Sequence, residues 1–111
     1  MAELDKYRDC IEHLITEYSR YQPKYGEIEL QIICDRQRDH YQLVSVGWEN
    51  DERIEGALLH FDLKGDKIWI QHDGTEIGIA DELVAMGIPP SHIVLAFYHP
   101  SMRKHTGFAE A

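Results

Sequence analysis

Between Leu4 and Tyr18 the apolar positions Leu4, Tyr7, Ile11, Leu14, Ile15 and Tyr18 recur every three or four residues, with Glu3, Lys6, Arg8, Asp9, Glu12 and Glu17 between them. That spacing gathers one apolar stripe on an amphipathic helix. The helix is expected to stop before Pro23, because the residue ahead of a proline avoids helical dihedrals, and Tyr25-Gly26 then turns the chain. From Ile28 the period changes to two. Ile28, Leu30, Ile32 and Cys34 alternate with Glu27, Glu29, Gln31 and Ile33, as in a half-buried strand. The polar run Asp35 to Asp39 closes it. A second strand is read from His40 to Trp48, a turn at Glu49-Asn50-Asp51-Glu52, a third strand from Arg53 to Leu63, and a fourth from Lys67 to His72 after Gly65-Asp66.

The last hairpin predicts its own register. With Gly65 and Asp66 as a two-residue loop, Lys64 faces Lys67, Leu63 faces Ile68, Phe61 faces Ile70 and Leu59 faces His72 on an apolar side. The opposite side pairs Asp62 with Trp69 and His60 with Gln71, and the alternation assigns Ile54 and Leu58 to it as well. Thr75 is positioned to cap a helix from Glu76 to Met86 that turns Ile79, Leu83 and Met86 to the sheet, and Gly87-Ile88-Pro89-Pro90 ends it. Ile93, Leu95 and Phe97 alternate into a short final strand before Pro100, and the tail from Met102 to Ala111 has no clear period. One helix, a run of strands, a helix and a last strand is an α+β order. The expected fold is a mainly antiparallel twisted sheet of about five strands, with an N-terminal helix and a second helix packed on it, in a single domain over residues 1–111.

Composition narrows the function. The chain has 111 residues, 43% of them hydrophobic, enough for one core. Its longest apolar runs are too short for a bilayer span, the N-terminus is acidic where a signal peptide is basic, and Cys10 and Cys34 have no C-x-x-C spacing. A cytoplasmic protein with reduced thiols is expected. Eleven Lys and Arg against twenty Asp and Glu give a formal charge of -9, which disfavours direct, strong DNA binding. Arg103-Lys104-His105 is a small basic cluster without interleaved aromatics.

Seven histidines invite a metal, with His60-x-Asp62 and His72-Asp73 as candidate ligands, but the predicted register points His72 to the other sheet face. Asp62-x-Lys64 after Asp39 or Asp51 loosely matches the acid, acid, lysine set of a metal-dependent nuclease. There is no G-x-S-x-G, no P-loop and no thiol-activating motif. Asp73-Gly74-Thr75-Glu76 reads as turn and cap rather than an anion site. No catalytic residue, metal or cofactor is assigned. The alternatives carried forward are a metal-dependent nucleic-acid enzyme using the strand acids and histidines, and a structural homodimer without independent activity. The candidate binding patch is Trp48, Ile54, Leu58, Trp69 and Gln71 on the mixed sheet side, expected to bury itself against a partner or second copy unless a helix or the tail covers it.

Taken in order, Tyr18-x-x-Tyr21, Asp39-His40-Tyr41-Gln42-Leu43, Val46-Gly47-Trp48, Ile68-Trp69-Ile70-Gln71, Asp73-Gly74-Thr75-Glu76-Ile77-Gly78 and the stretch from Ile93 to Pro100 resemble the XisI family, the fdxN element excision controlling factors of cyanobacteria. The resemblance covers nearly the whole chain. It implies a small α+β fold and a role in programmed excision of a DNA element, beside a site-specific recombinase and a nuclease-like companion, XisH. It supplies no catalytic residue. An acidic domain suits masking of a basic companion better than contact with DNA, so a non-enzymatic, partner-binding regulator is expected.

Overall fold

The computed structural model describes residues 2–21, 27–75 and 78–111. The chain opens with helix α1 (Ala2–Ser19), then runs through β1 (Glu27–Asp35), β2 (His40–Glu49), β3 (Glu52–Lys64) and β4 (Lys67–Asp73) to helix α2 (Ile79–Ala85) and β5 (Ile93–Leu95). The sheet order is β1-β2-β3-β4-β5. The first four strands pair antiparallel in sequence and β5 adds parallel to β4. That last pairing follows from chain direction, since α2 carries the chain back across the sheet before β5 starts. The predicted α+β class, the N-terminal helix and the first four strands hold to within a residue or two at their ends, while Pro23 to Gly26, expected as a turn, and Glu76, expected as the first residue of the second helix, lie outside the described residues.

The periodicities settle one face. Tyr7, Cys10, Ile11, Leu14 and Ile15 of α1 pack with Ile79, Ala80 and Leu83 of α2 over Tyr41, Leu43, Leu59, Phe61, Ile68, Ile70, Ile93 and Leu95 of the sheet. Residues directly opposite in a ladder share a face, so a single register carries the whole apolar set to the helix side.

Two bulges change what the alternation predicted. The Gly65-Asp66 loop has both residues at positive φ, and the register runs as expected from Lys64↔Lys67 to Phe61↔Ile70. It then slips, so that His60 faces His72 and Leu59 faces Asp73. A second slip lies between β2 and β3, where Leu43 faces Leu59 but Val44 faces Ala57, leaving Leu58 as the extra residue. Each bulge adds one residue and inverts the alternation beyond it.

The start of α2 is also corrected. Gly78 is its N-cap, and Asp73 organises the approach: one carboxylate oxygen accepts from the Thr75 amide and hydroxyl, the other from the Ile79 amide at 2.9 Å. The Thr75 hydroxyl oxygen accepts from the Gly78 amide at 3.3 Å, outside the helix proper. The tail without a period has structure too. A 3-10 turn covers Pro100–His105, and Ala109 bridges Val94 and donates its amide to Ile93 at 2.8 Å, while β5 stops at Leu95 and leaves Phe97 exposed.

Candidate partner-binding face

The side of the sheet away from the helices carries the odd-numbered residues of β1 and the even-numbered residues of β2. In this register Trp48 stands opposite Arg53, and His40 opposite Asp62, which pairs with Trp69. Val44, Val46 and Ala57 lie between them, half-buried, and Ile33 continues the apolar strip to the edge. Glu27, Glu29 and Glu55 surround it.

Of the residues predicted to form one patch, Trp48, Trp69 and Gln71 lie on this face, but Trp48, opposite Arg53, stands at the far end of it from Trp69 and Gln71, which flank Asp62. Ile54 and Leu58 do not join them. Ile54 pairs with Gly47, one step out of phase with Trp48 and Arg53, and so faces the helix side. Leu58, displaced by the bulge, packs against the hydrophobic core. The two tryptophans differ in availability. Trp48 is 49% exposed, with the Arg53 guanidinium 5.4 Å from its ring. Trp69 is half-buried between the Lys64 ammonium at 4.4 Å and the Arg103 guanidinium at 5.5 Å.

Arg103 was not legible as a fixed residue. Its Nε donates to the Tyr98 carbonyl at 3.1 Å, and its two terminal nitrogens donate to Ala96 at 3.2 Å and Glu110 at 3.3 Å. One guanidinium fork thus ties the C-terminal segment together while lying over an aromatic ring, a geometry that a flexible ammonium does not reproduce. The small basic cluster therefore contains a structural clamp.

A polar cluster on the same face went unpredicted as well. One Asp62 oxygen is 2.8 Å from His40 Nδ1 and 3.1 Å from His60 Nε2, and the other accepts from the Gln71 amide at 3.1 Å. The cross-strand pairing of His40 with Asp62 assembles it, and hydrophobic pattern alone does not encode that partner. The expected separation of His60 from His72 is overturned by the bulge, yet among the described residues no three His, Cys, Asp or Glu side chains are arranged to hold a metal ion. The acids of the nuclease reading do not converge. Asp39 turns to the helix side, where Arg8 grips both its oxygens at 2.8 and 3.0 Å and the Tyr41 hydroxyl donates at 2.9 Å, whereas Asp51 lies in the turn at the far end of the β2–β3 hairpin. Arg8 holds the Asp39 carboxyl below the usual carboxylate range, and burial with Asp39 beside it pushes the Tyr41 hydroxyl up.

On the helix side, α1 and α2 border an open groove of about 430 Å³ in which the Tyr18 hydroxyl donates to Glu82 at 2.5 Å. Burial and the Glu82 carboxylate raise the hydroxyl's pKa. Among the described residues no helix is long and apolar enough to cross a membrane.

A mostly antiparallel five-stranded sheet with its helices packed on one side makes this a small α+β protein. The chain belongs to the XisI family: the family described as XisI protein matches residues 1–110. A crystal structure of a XisI-like protein from Anabaena variabilis superposes with a TM-score of 0.90 at 39% identity, covering 97% of this chain and 99% of that one. The fdxN element excision controlling factor XisI from Anabaena variabilis gives a TM-score of 0.82 at 37% identity over 98% of this chain and 99% of that one. No curated protein sequence matches the chain.

Proposed function

We propose that this protein is a cytoplasmic, non-enzymatic regulator of programmed DNA element excision that works by binding a protein partner. The observation that carries the reading is its likeness, along nearly its full length, to a protein that bears the name of excision controlling factor. Charge and geometry support the mode of action. A domain of charge -9 is repelled by a phosphate backbone and attracted to a basic protein, and Trp48 offers a rigid, half-exposed anchor ringed by Glu27, Glu29 and Glu55. The partner of matching chemistry is a basic, nuclease-like companion of the XisH kind, itself working beside a site-specific recombinase.

Co-purification of the tagged protein with its genomic neighbour at moderate salt tests this. Retention is expected, and Trp48→Ala, once circular dichroism shows it folded, is expected to weaken it at least about tenfold, the scale of an aromatic hot spot. Loss of retention by the wild-type protein removes the partner-binding reading. Undiminished retention by Trp48→Ala removes the surface.

A further inference from the structure

The open face of the sheet is charged with opposite signs at its two ends. Around Trp48 stand Glu27, Glu29 and Glu55, with Arg53 held 4.0 Å from Glu55. At the other end the β3–β4 hairpin sets Lys64 directly opposite Lys67, and the Arg103 guanidinium lies 5.5 Å from the Trp69 ring that Lys64 also covers. These cations lack counterions. Arg8, Arg20, Arg36, Arg38 and Arg53 each pair with a carboxylate, whereas among the described residues no carboxylate, Asp66 in the loop included, pairs with Lys64, Lys67 or Arg103. The nearby acids are engaged elsewhere: Asp62 by His40, His60 and Gln71, and Asp35, opposite His40, by Arg38. In a chain of twenty acidic and eleven basic side chains, three cations left together without a carboxylate are unexpected, and like charges directly opposite in a ladder cost stability.

We propose, resting on the partner-binding reading, that this end of the face docks an acidic segment of the protein partner, which then meets Trp48 with a basic surface and the two lysines with an acidic one. Lys64 is exposed and Lys67 half-buried, and each ammonium carries three donors. Arg103 has spent its donors on the carbonyls of Tyr98, Ala96 and Glu110, so it adds only its field. The two ends act separately. Trp48 lies eight residues along β2 from His40, about 26 Å at the usual strand rise and well beyond the ~8 Å Debye length of physiological salt. The overall charge of -9 therefore does not set the sign at the hairpin end. A nucleic acid suits this end less well: the Trp69 ring is covered by two cations and offers no stacking platform, and two lysines are few against a phosphate backbone. Charges of both signs on one face fix the orientation of a partner as well as attracting it.

The two tryptophan indoles report the two ends separately. In an NMR titration of backbone and indole N–H signals at low salt, hexaglutamate is expected to shift the Trp69 indole and the Lys64 and Lys67 amides, and hexalysine the Trp48 indole and the Glu27, Glu29 and Glu55 amides. Hexaglutamate that shifts both indoles alike, or neither, overturns the inference. So does tighter binding of hexathymidylate than of hexaglutamate at Trp69, which would assign the site to nucleic acid. In co-purification with the genomic neighbour, Lys67→Glu leaves the Lys64 ammonium on the Trp69 ring. Once circular dichroism shows it folded, it is expected to weaken retention about threefold to tenfold, with Lys67→Gln in between. A partner basic across its whole contact surface would instead hold Lys67→Glu more tightly, so tighter or unchanged retention overturns the inference while the partner-binding reading stands. Failure of the wild type to retain the neighbour removes that reading by itself, whereas the hexaglutamate response still upholds or overturns a site for an acidic segment.

Discussion

At Gly47 the φ angle is +156°, and a Cβ built there would lie 1.9 Å from the Glu27 carbonyl oxygen. The Val46-Gly47-Trp48 segment therefore needs its glycine so that β1 and β2 can pair closely beneath Trp48. Gly47→Ala is expected to destabilise the fold by about 2–3 kcal/mol, the scale of one strained backbone position, measured by denaturant unfolding. Asp39 plays a comparable part in the motif that starts β2. Its own φ is positive, and its carboxylate joins α1 to the turn through Arg8 and to the core through Tyr41. Since Arg8 lowers its pKa in the folded state, the stabilisation is present above the unfolded value of about 3.9 and is lost as pH falls through the lower folded value. Asp39→Asn is expected to lower Tm by several degrees near pH 7, with the gap to wild type closing on acidification below that range. A gap independent of pH would show that the ion pair with Arg8 is not its source.

Among the elements, the C-terminal segment depends on Arg103 more than on its own periodicity. Three carbonyl acceptors and the Trp69 face meet one guanidinium, and Phe108 packs partly against the core from the same segment. Removing these bonds with Arg103→Ala is expected to cost about 1–3 kcal/mol, to speed hydrogen exchange at the Ala109 amide, and to change Trp69 fluorescence. Arg103→Lys is expected to restore little, because a single ammonium cannot serve three carbonyls spread over Ala96, Tyr98 and Glu110. Unchanged exchange at Ala109 would mean that the bridge to Val94 holds the tail without the clamp.

For the molecule as a whole, charge and the scattered placement of its acids make the same statement about DNA. The protein alone is expected neither to nick a plasmid in Mg²⁺ nor to retard DNA tightly at low salt, because counterion release requires a collected basic surface and the chain is acidic. Salt-sensitive micromolar binding, or nicking abolished by Asp62→Ala, would overturn the regulatory reading in favour of a nucleic-acid enzyme. The Asp62, His40 and His60 cluster makes that substitution the informative one, since it disrupts the polar arrangement on the open face without touching the core.

Much of the fold is written in local periodicity. The three- and four-residue recurrence from Leu4 to Tyr18, the alternation from Ile28 to Cys34 and the Gly65-Asp66 loop each depend on near neighbours, so α1, β1 and the first pairs of the β3–β4 hairpin could be placed from the sequence. Of the segments that carry the family resemblance, Asp73 builds its cap within a few residues of where it stands, whereas the close approach at Gly47 and the Arg8 pair at Asp39 depend on distant strands and helices. What the tertiary structure decided are the bulge at Leu58, which turns Ile54 and Leu58 toward the helices, the slip beyond Phe61, which sets His72 opposite His60, and the contacts made over long separations. Arg8 reaches Asp39, Arg103 covers Trp69 and His40 finds Asp62 only once the strands are in register. A bulge conserves the hydrophobic pattern on either side of itself while inverting its phase, so composition and alternation contain no record of it, and the face a residue presents is fixed only when its partner strand is in place.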